Sequence, residues 1–231
     1  MRKLVLFDID GTLLLTAGAG RRAITAALAE MVGDNAAFGS VRFDGKTDPQ
    51  IVTELLSAAG HPSPEDPAHV GRLCQRYVGL LAEELERTAG AATLMPGVLE
   101  LLDRLEQESG VLLGLLTGNL AQGAALKLKA AGLDPARFRI GAYGSDAAHR
   151  PHLPPIAARR AESFFGHEPS GAEVVIIGDT PADVHCGIGI GARALGVATG
   201  AYSTAELIAA GAYAAFPDLS ATKQVLAAIL E

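Results

Sequence analysis

Short, almost wholly apolar runs recur along the chain at residues 4–7, 111–116, 139–143, 174–177, 194–198 and 213–216, and they give way to Gly, Asp or Thr. Runs that do not alternate with polar residues suit strands buried on both faces of a parallel sheet. Between the later runs the apolar residues recur at helical spacing, over 120–131, 154–164, 182–188, 205–210 and 221–230. Strand and helix alternate from about residue 96 to the end. The expectation is an α/β fold with a doubly wound, Rossmann-like parallel sheet.

Residues 16–90 read differently. Three helical patterns, near 19–31, 49–59 and 67–88, are separated by Gly33-Asp34-Asn35, by Phe43-Asp44-Gly45-Lys46 and by Gly60-His61-Pro62-Ser63-Pro64. No strand run falls among them. The pattern predicts an α/β core domain from residues 1–15 and 91–231, with a helical domain, 16–90, inserted after the first strand. No repeat of 20–50 residues interrupts this reading.

Composition narrows the class. At 231 residues and roughly 150 residues per domain, one or two domains are expected. A chain that is 49% hydrophobic is not a disordered one. A net charge of −7 gives no overall electrostatic case for nucleic acid or an anionic membrane as partner. The first apolar stretch is too short for a signal-peptide core, and no run nears the roughly 20 residues that span a bilayer. A cytoplasmic protein is expected. Cys74 and Cys186 make no disulfide framework and read as buried apolar residues.

Ligands of an open parallel sheet bind beyond the carboxyl ends of its strands. The residues that follow the runs are Asp8-Ile9-Asp10-Gly11-Thr12, Thr117-Gly118-Asn119, Gly144-Ser145-Asp146 with Arg150 further on, and Gly178-Asp179-Thr180-Pro181-Ala182-Asp183. Carboxylates brought together repel unless a cation offsets them, and a hard divalent ion with oxygen ligands, Mg²⁺ above all, fits them. Asp8 can attack phosphorus as a nucleophile. Asp10, two residues on in extended chain, points the same way and can act as general acid and base. Gly11-Thr12 allows a tight turn with amides open to an anion. Thr117 brings a hydroxyl to a strand-to-helix turn, where phosphate can meet a helix N-terminus. Arg150 can hold the transferring group, and Asp179 completes the metal shell.

These motifs, in this order, resemble those of the haloacid dehalogenase-like hydrolase superfamily over nearly the whole chain. The nearest likeness is to its phosphoglycolate phosphatase-like and β-phosphoglucomutase-like members, whose helical cap the 16–90 segment resembles. The resemblance implies a Mg²⁺-dependent phosphatase acting on a small phosphorylated metabolite through an aspartyl-phosphate. It makes Asp8 the nucleophile and a Mg²⁺ ligand, and Asp10 the acid/base that also gives its backbone carbonyl to the metal. Asp179 becomes the carboxylate ligand and Asp183 a carboxylate behind it. Thr117, Gly118, Asn119 and Arg150 hold the phosphate and substrate. The family usually places a lysine before its last motif. Here no lysine occurs between Lys129 and that motif, and Arg150, 29 residues before Asp179, stands near the place, with Arg159 and Arg160 as substitutes.

Blander readings accompany several of these residues. Thr117 also suits a helix N-cap, Asp183 a surface charge in a helix's first turn, and Asn119 a helix-start residue. Lys46 either reaches the substrate or is solvated, and His185 reads as structural. Gly189-x-Gly191-x-x-Ala194 imitates a dinucleotide fingerprint, but it follows a helix and precedes a strand, the reverse of what pyrophosphate needs. A sugar-phosphate mutase using the same phospho-aspartate is the alternative enzyme. A receiver-like signalling module is disfavoured, because the paired Asp follow the first strand. The sequence leaves the substrate and the oligomeric state open.

Overall fold

The structure, a computed structural model, describes residues 2–33 and 36–231, so the turn expected at 33–35 lies partly outside the described residues. The strands are β1 (Lys3–Phe7), β2 (Leu14–Leu15), β3 (Thr93–Leu94), β4 (Val111–Thr117), β5 (Ile140–Tyr143), β6 (Val174–Gly178), β7 (Arg193–Val197) and β8 (Ala214–Phe216). The helices are α1 (Ala19–Val32), α2 (Asp48–Ala58), α3 (Pro67–Arg87), α4 (Val98–Gln107), α5 (Ala121–Ala130), α6 (Leu153–Phe165), α7 (Pro181–Cys186), α8 (Thr204–Ala209) and α9 (Thr222–Leu230).

Six strands form one parallel sheet in the order β5-β4-β1-β6-β7-β8. The expected Rossmann-like α/β architecture is therefore present. β1 is central, with Phe7 in register with Leu115 on one side and Ile177 on the other. Alternate side chains of these strands enter two different cores. Leu4, Leu6, Leu116, Val174 and Ile176 pack with Ala157, Ala161 and Phe165 of α6. Val5, Phe7, Leu113, Leu115, Val175 and Ile177 pack with Leu101, Leu102 and Leu105 of α4 and with Val225 and Ile229 of α9. Burial on both faces explains the unbroken apolar runs. Each fully buried Leu or Ile contributes roughly 1.5–3 kcal/mol relative to exposure.

Strand ends differ from expectation by a residue or two, and α4 is an addition to the expected helices. Its Val98, Leu101, Leu102 and Leu105 are buried at the 3- and 4-residue spacing of one helix face. The imitation fingerprint at 189–194 lies in a 3₁₀ turn (Ile188–Ile190) leading into β7.

The 16–90 segment leaves and rejoins the sheet through β2 and β3, which pair antiparallel. It departs through two left-handed residues, Ala17 and Gly18. Helices α1, α2 and α3 share an apolar cluster of their own, with Ile24, Leu28, Leu55, Leu56, Leu73, Tyr77 and Leu81 almost fully buried. Thr47 caps α2 by accepting from Gln50 N, and Asp66 caps α3 by accepting from Ala68 N, with Pro in the first turn of each. Among the described residues, no helix is long and apolar enough to cross a membrane.

Candidate active site

The chain leaves β1 at Phe7 and enters a tight turn. The amides of Thr12, Leu13 and Leu14 donate to Ile9 O, and Gly11 N donates to Leu14 O. The Gly11 and Thr12 amides, expected to face an anion, are thus used inside the turn. Gly11 has φ +85°, and a Cβ there would lie 2.5 Å from Asp179 Oδ2. Glycine is what lets the first and last motifs touch. The turn directs Asp8 and Asp10 into one cavity, Asp8 buried and the Asp10 side chain 41% exposed.

Asp179 follows β6, and its Oδ1 accepts from Thr12 Oγ1 at 3.1 Å. Carboxylate oxygens of Asp8, Asp179 and Asp183 lie within 4.8 Å of one another, all three residues buried. Burial, with the charges of Asp183 and Asp8 beside it, pushes Asp179 up to about 8. Burial likewise raises Asp8, against the pull of Arg150. Asp8 Oδ1 is buried without a hydrogen-bond partner. Buried carboxylates crowded into an all-oxygen donor set fit a hard divalent cation such as Mg²⁺. Asp8 and Asp179 have oxygens to give it. Asp183 does not: its Oδ1 accepts from Arg150, and its Oδ2 accepts from Thr180 N at 3.0 Å and Thr180 Oγ1 at 2.7 Å. Asp183 is 1% exposed and closes a capping box on α7, so it is not a surface charge.

Arg150 stands in a 3₁₀ turn (Arg150–His152) before α6 and is buried. Its Nη2 lies 3.1 Å from Asp8 Oδ1 and contacts Asp183. Burial works against its charge, but Asp183 and Asp8 outweigh that and hold its pKa above the ordinary value. Its Nε is buried without a partner. Arg160 instead pairs with Asp146 on the surface, and Arg159 is exposed.

Thr117, the last residue of β4, is fully buried, and its hydroxyl accepts from Asn119 Nδ2 at 2.8 Å. It caps no helix, because the N-cap position of α5 falls at Leu120. Two amides at the start of α5 already have partners: Leu120 N donates to Asp48 Oδ2 at 2.8 Å and Ala121 N to Ser145 Oγ. A carboxylate of the inserted helices occupies the end where an anion was expected. Asn119 Nδ2 also donates to Asp10 Oδ2 at 2.8 Å.

The helical segment roofs this set. Asp48 N donates to Gly118 O at 2.8 Å, and Thr47 Oγ1 donates to Ala148 O at 2.5 Å. A Cβ on Gly118 would lie 2.0 Å from Lys46 O, so only glycine permits this approach. Between roof and sheet lies a cavity of about 300 Å³, bounded by Asp8, Asp10, Thr117, Gly118, Asn119, Arg150 and Asp179 below and by Arg21, Phe43, Lys46, Asp48 and Tyr77 above. Lys46 is paired with Glu54 at 2.5 Å. The Arg21 guanidinium stacks on Phe43, 3.9 Å from the ring centroid. His185, exposed, contacts Ala210 O and is remote from this lining.

Several residues of this lining escape sequence reasoning, Lys127 and Asp48 among them. Lys127 of α5 is buried and its Nζ donates to Asp10 Oδ2 at 2.6 Å. The signal was a lysine on the same helix face as the apolar Ala124 and Leu128, but apolar patterning alone treats such a lysine as noise. Asp48, in Thr47-Asp48-Pro49, reads as ordinary helix-start chemistry. In the fold it is buried, which pushes its carboxyl up to about 6 against the opposing pull of Lys127.

Buried carboxylates and an arginine at the carboxyl edge of a parallel sheet define an α/β enzyme with a charged centre. The haloacid dehalogenase-like hydrolase family model matches residues 5–187, and the chain belongs to that family. No curated protein sequence matches it. Among solved structures it is similar to a hydrolase from Pseudomonas syringae, at 22% identity and TM-score 0.72, covering 98% of both chains. It is similar to CbbY from Rhodobacter sphaeroides in complex with phosphate, at 20% identity and TM-score 0.72, covering 95% of this chain and 96% of that one. A predicted phosphoglycolate phosphatase from Haemophilus somnus also shares the fold, at 18% identity and TM-score 0.72, covering 97% of this chain and 98% of that one.

Proposed function

We propose that the protein is a cytoplasmic, Mg²⁺-dependent phosphatase that hydrolyses a small phosphorylated metabolite through a phosphorylated Asp8, with residues 16–90 serving as the cap. The observation that carries this reading is the setting of Asp8. It is buried at the floor of a roofed cavity, with its Oδ1 3.1 Å from Arg150 Nη2 and the carboxylate of Asp179 close by. Mg²⁺, held by Asp8, Asp179 and the Asp10 carbonyl, would supply positive charge against the phosphoryl oxygens.

The protein's own groups divide the remaining work. Asp8 attacks phosphorus; the bond to the leaving oxygen breaks, and that oxygen takes a proton from Asp10. Water then attacks the phosphorus, Asp10 accepts its proton, and phosphate leaves Asp8. Arg150, anchored by Asp183, holds positive charge beside the nucleophile, with Thr117, Gly118 and Asn119 positioned around the transferring group. The roof covers part of the site, and the small volume of the cavity beneath it favours metabolites over macromolecules. Arg21, which lines the cavity with its guanidinium held on Phe43 and by Val41 O, brings positive charge to the roof and supports a substrate with a second anionic group, such as the carboxylate of a phosphoglycolate-like acid. Two free buried thiols, Cys74 and Cys186, are in keeping with a reducing compartment.

The test is phosphate release from p-nitrophenyl phosphate and a panel of phosphorylated metabolites with Mg²⁺, for wild type and Asp8→Asn. Removing a nucleophile should cost at least about a thousandfold. Equal rates would refute the reading. An isomerised product from glucose 1-phosphate would replace the phosphatase with a mutase.

A further inference from the structure

Lys127 is buried at 4% exposure in a wall of the cavity, while its neighbour Lys129 is exposed. Its Nζ lies 2.6 Å from Asp10 Oδ2, and the same oxygen accepts from Asn119 Nδ2 at 2.8 Å. The N-terminus of α1 makes room for the ammonium: a Cβ on Gly20 would stand 3.3 Å from Lys127 Nζ and 3.7 Å from Tyr77 OH. Asp48, on α2, lies near enough for its charge to be felt by Lys127. The lysine thus pairs with a core carboxylate while lying beneath the start of α1 and within the field of Asp48.

We propose that Lys127 is a positioning residue that fixes the rotamer of Asp10, so that only Oδ1 can face the leaving group and exchange a proton with it. An oxygen that accepts from both an ammonium and an amide offers no place for a proton. Oδ2 is therefore the anchored atom and Oδ1 the working one. Asp10 side chains are 41% exposed into an open cavity, and without Lys127 the single bond from Asn119 would leave the carboxyl free to turn about its Cβ–Cγ bond. Proximity effects of this kind are sensitive to displacements near 1 Å.

The inference rests on the phosphatase reading, and the test separates the two. The measurement is kcat/KM for phenyl phosphate and p-nitrophenyl phosphate, which reports steps up to departure of the leaving group. Nitrophenolate leaves without a proton; phenolate needs one far more. The variants are Lys127→Met and the charge-balanced double variant Lys127→Met/Asp48→Asn, which is read if the single variant does not fold, with thermal melts run on both. With general acid catalysis worth at least about a hundredfold, the expected loss is near that size on phenyl phosphate and below about fivefold on p-nitrophenyl phosphate. Equal losses on both substrates, or none, would overturn the role of Lys127 while leaving an active wild type and its phosphatase reading in place. A wild type inactive on both would sink that reading and this inference together.

Discussion

Arg150 Nη2 stands 3.1 Å from Asp8 Oδ1 and at the same time contacts Asp183, so one guanidinium ties the end of β1 to the first turn of α7. All three residues are buried. Removing the cation would leave two carboxylates facing each other out of water. Arg150→Met is therefore expected to lose about 3–5 kcal/mol of stability. Arg150→Lys, which keeps the charge but loses the planar fork, should lose less. Urea unfolding of the two variants checks this, and an unchanged midpoint for Arg150→Met would contradict it.

The crowding of buried Asp8 and Asp179 carboxylates and the raised pKa of Asp179 describe a site that gains from a cation. At a Mg²⁺ concentration a hundred times its dissociation constant, binding should add about 2.7 kcal/mol. For a chain of this size that corresponds to a rise in Tm of roughly 5–10 °C. Asp179→Asn should abolish the rise, and a chelator should reverse it in wild type. Differential scanning fluorimetry with and without the ion is sufficient.

Asp48 couples the roof to pH. Its carboxyl moves from the ordinary 3.8 to about 6 on burial, so the folded state holds this proton more tightly than the unfolded chain. The contribution is fully present below pH 4 and is lost as pH rises through 6. Its size, for a carboxyl raised from 3.8 to about 6, is on the order of 2–3 kcal/mol. Asp48→Asn keeps an acceptor for Leu120 N but cannot titrate. Between pH 4 and 7 the stability of wild type should fall relative to the variant by that amount in denaturant titrations.

Gly118 sets how closely the roof can dock. Because a Cβ there meets Lys46 O at 2.0 Å, Gly118→Ala must push α2 away from the strand end. Overpacking of this kind costs about 1–3 kcal/mol. Charged to the docked arrangement alone, it should lower kcat/KM roughly 5- to 150-fold. Steady-state kinetics reads the loss, and wild-type activity in Gly118→Ala would show that close docking is not needed.

The sequence by itself determined the six strands of the parallel sheet, most of the helices and the residues at the strand ends, but not the short β2–β3 pair. Apolar runs such as Val174–Gly178 can be buried on both faces only in a covered sheet, and parallel topology puts Asp8, Thr117, Arg150 and Asp179 at one edge. Those are consequences of local pattern and chain direction, which a linear sequence carries. Only the tertiary structure decided which polar groups meet across elements. Lys127 finds Asp10 because α5 packs beneath a glycine of α1, and the α5 N-terminus receives Asp48 because α2 docks there. The turn amides of Gly11 and Thr12 are spent internally for a similar reason, since the chain must reverse at once into β2. Such pairings depend on distances between segments far apart in sequence, and the period of hydrophobic residues along a single segment has no term for them.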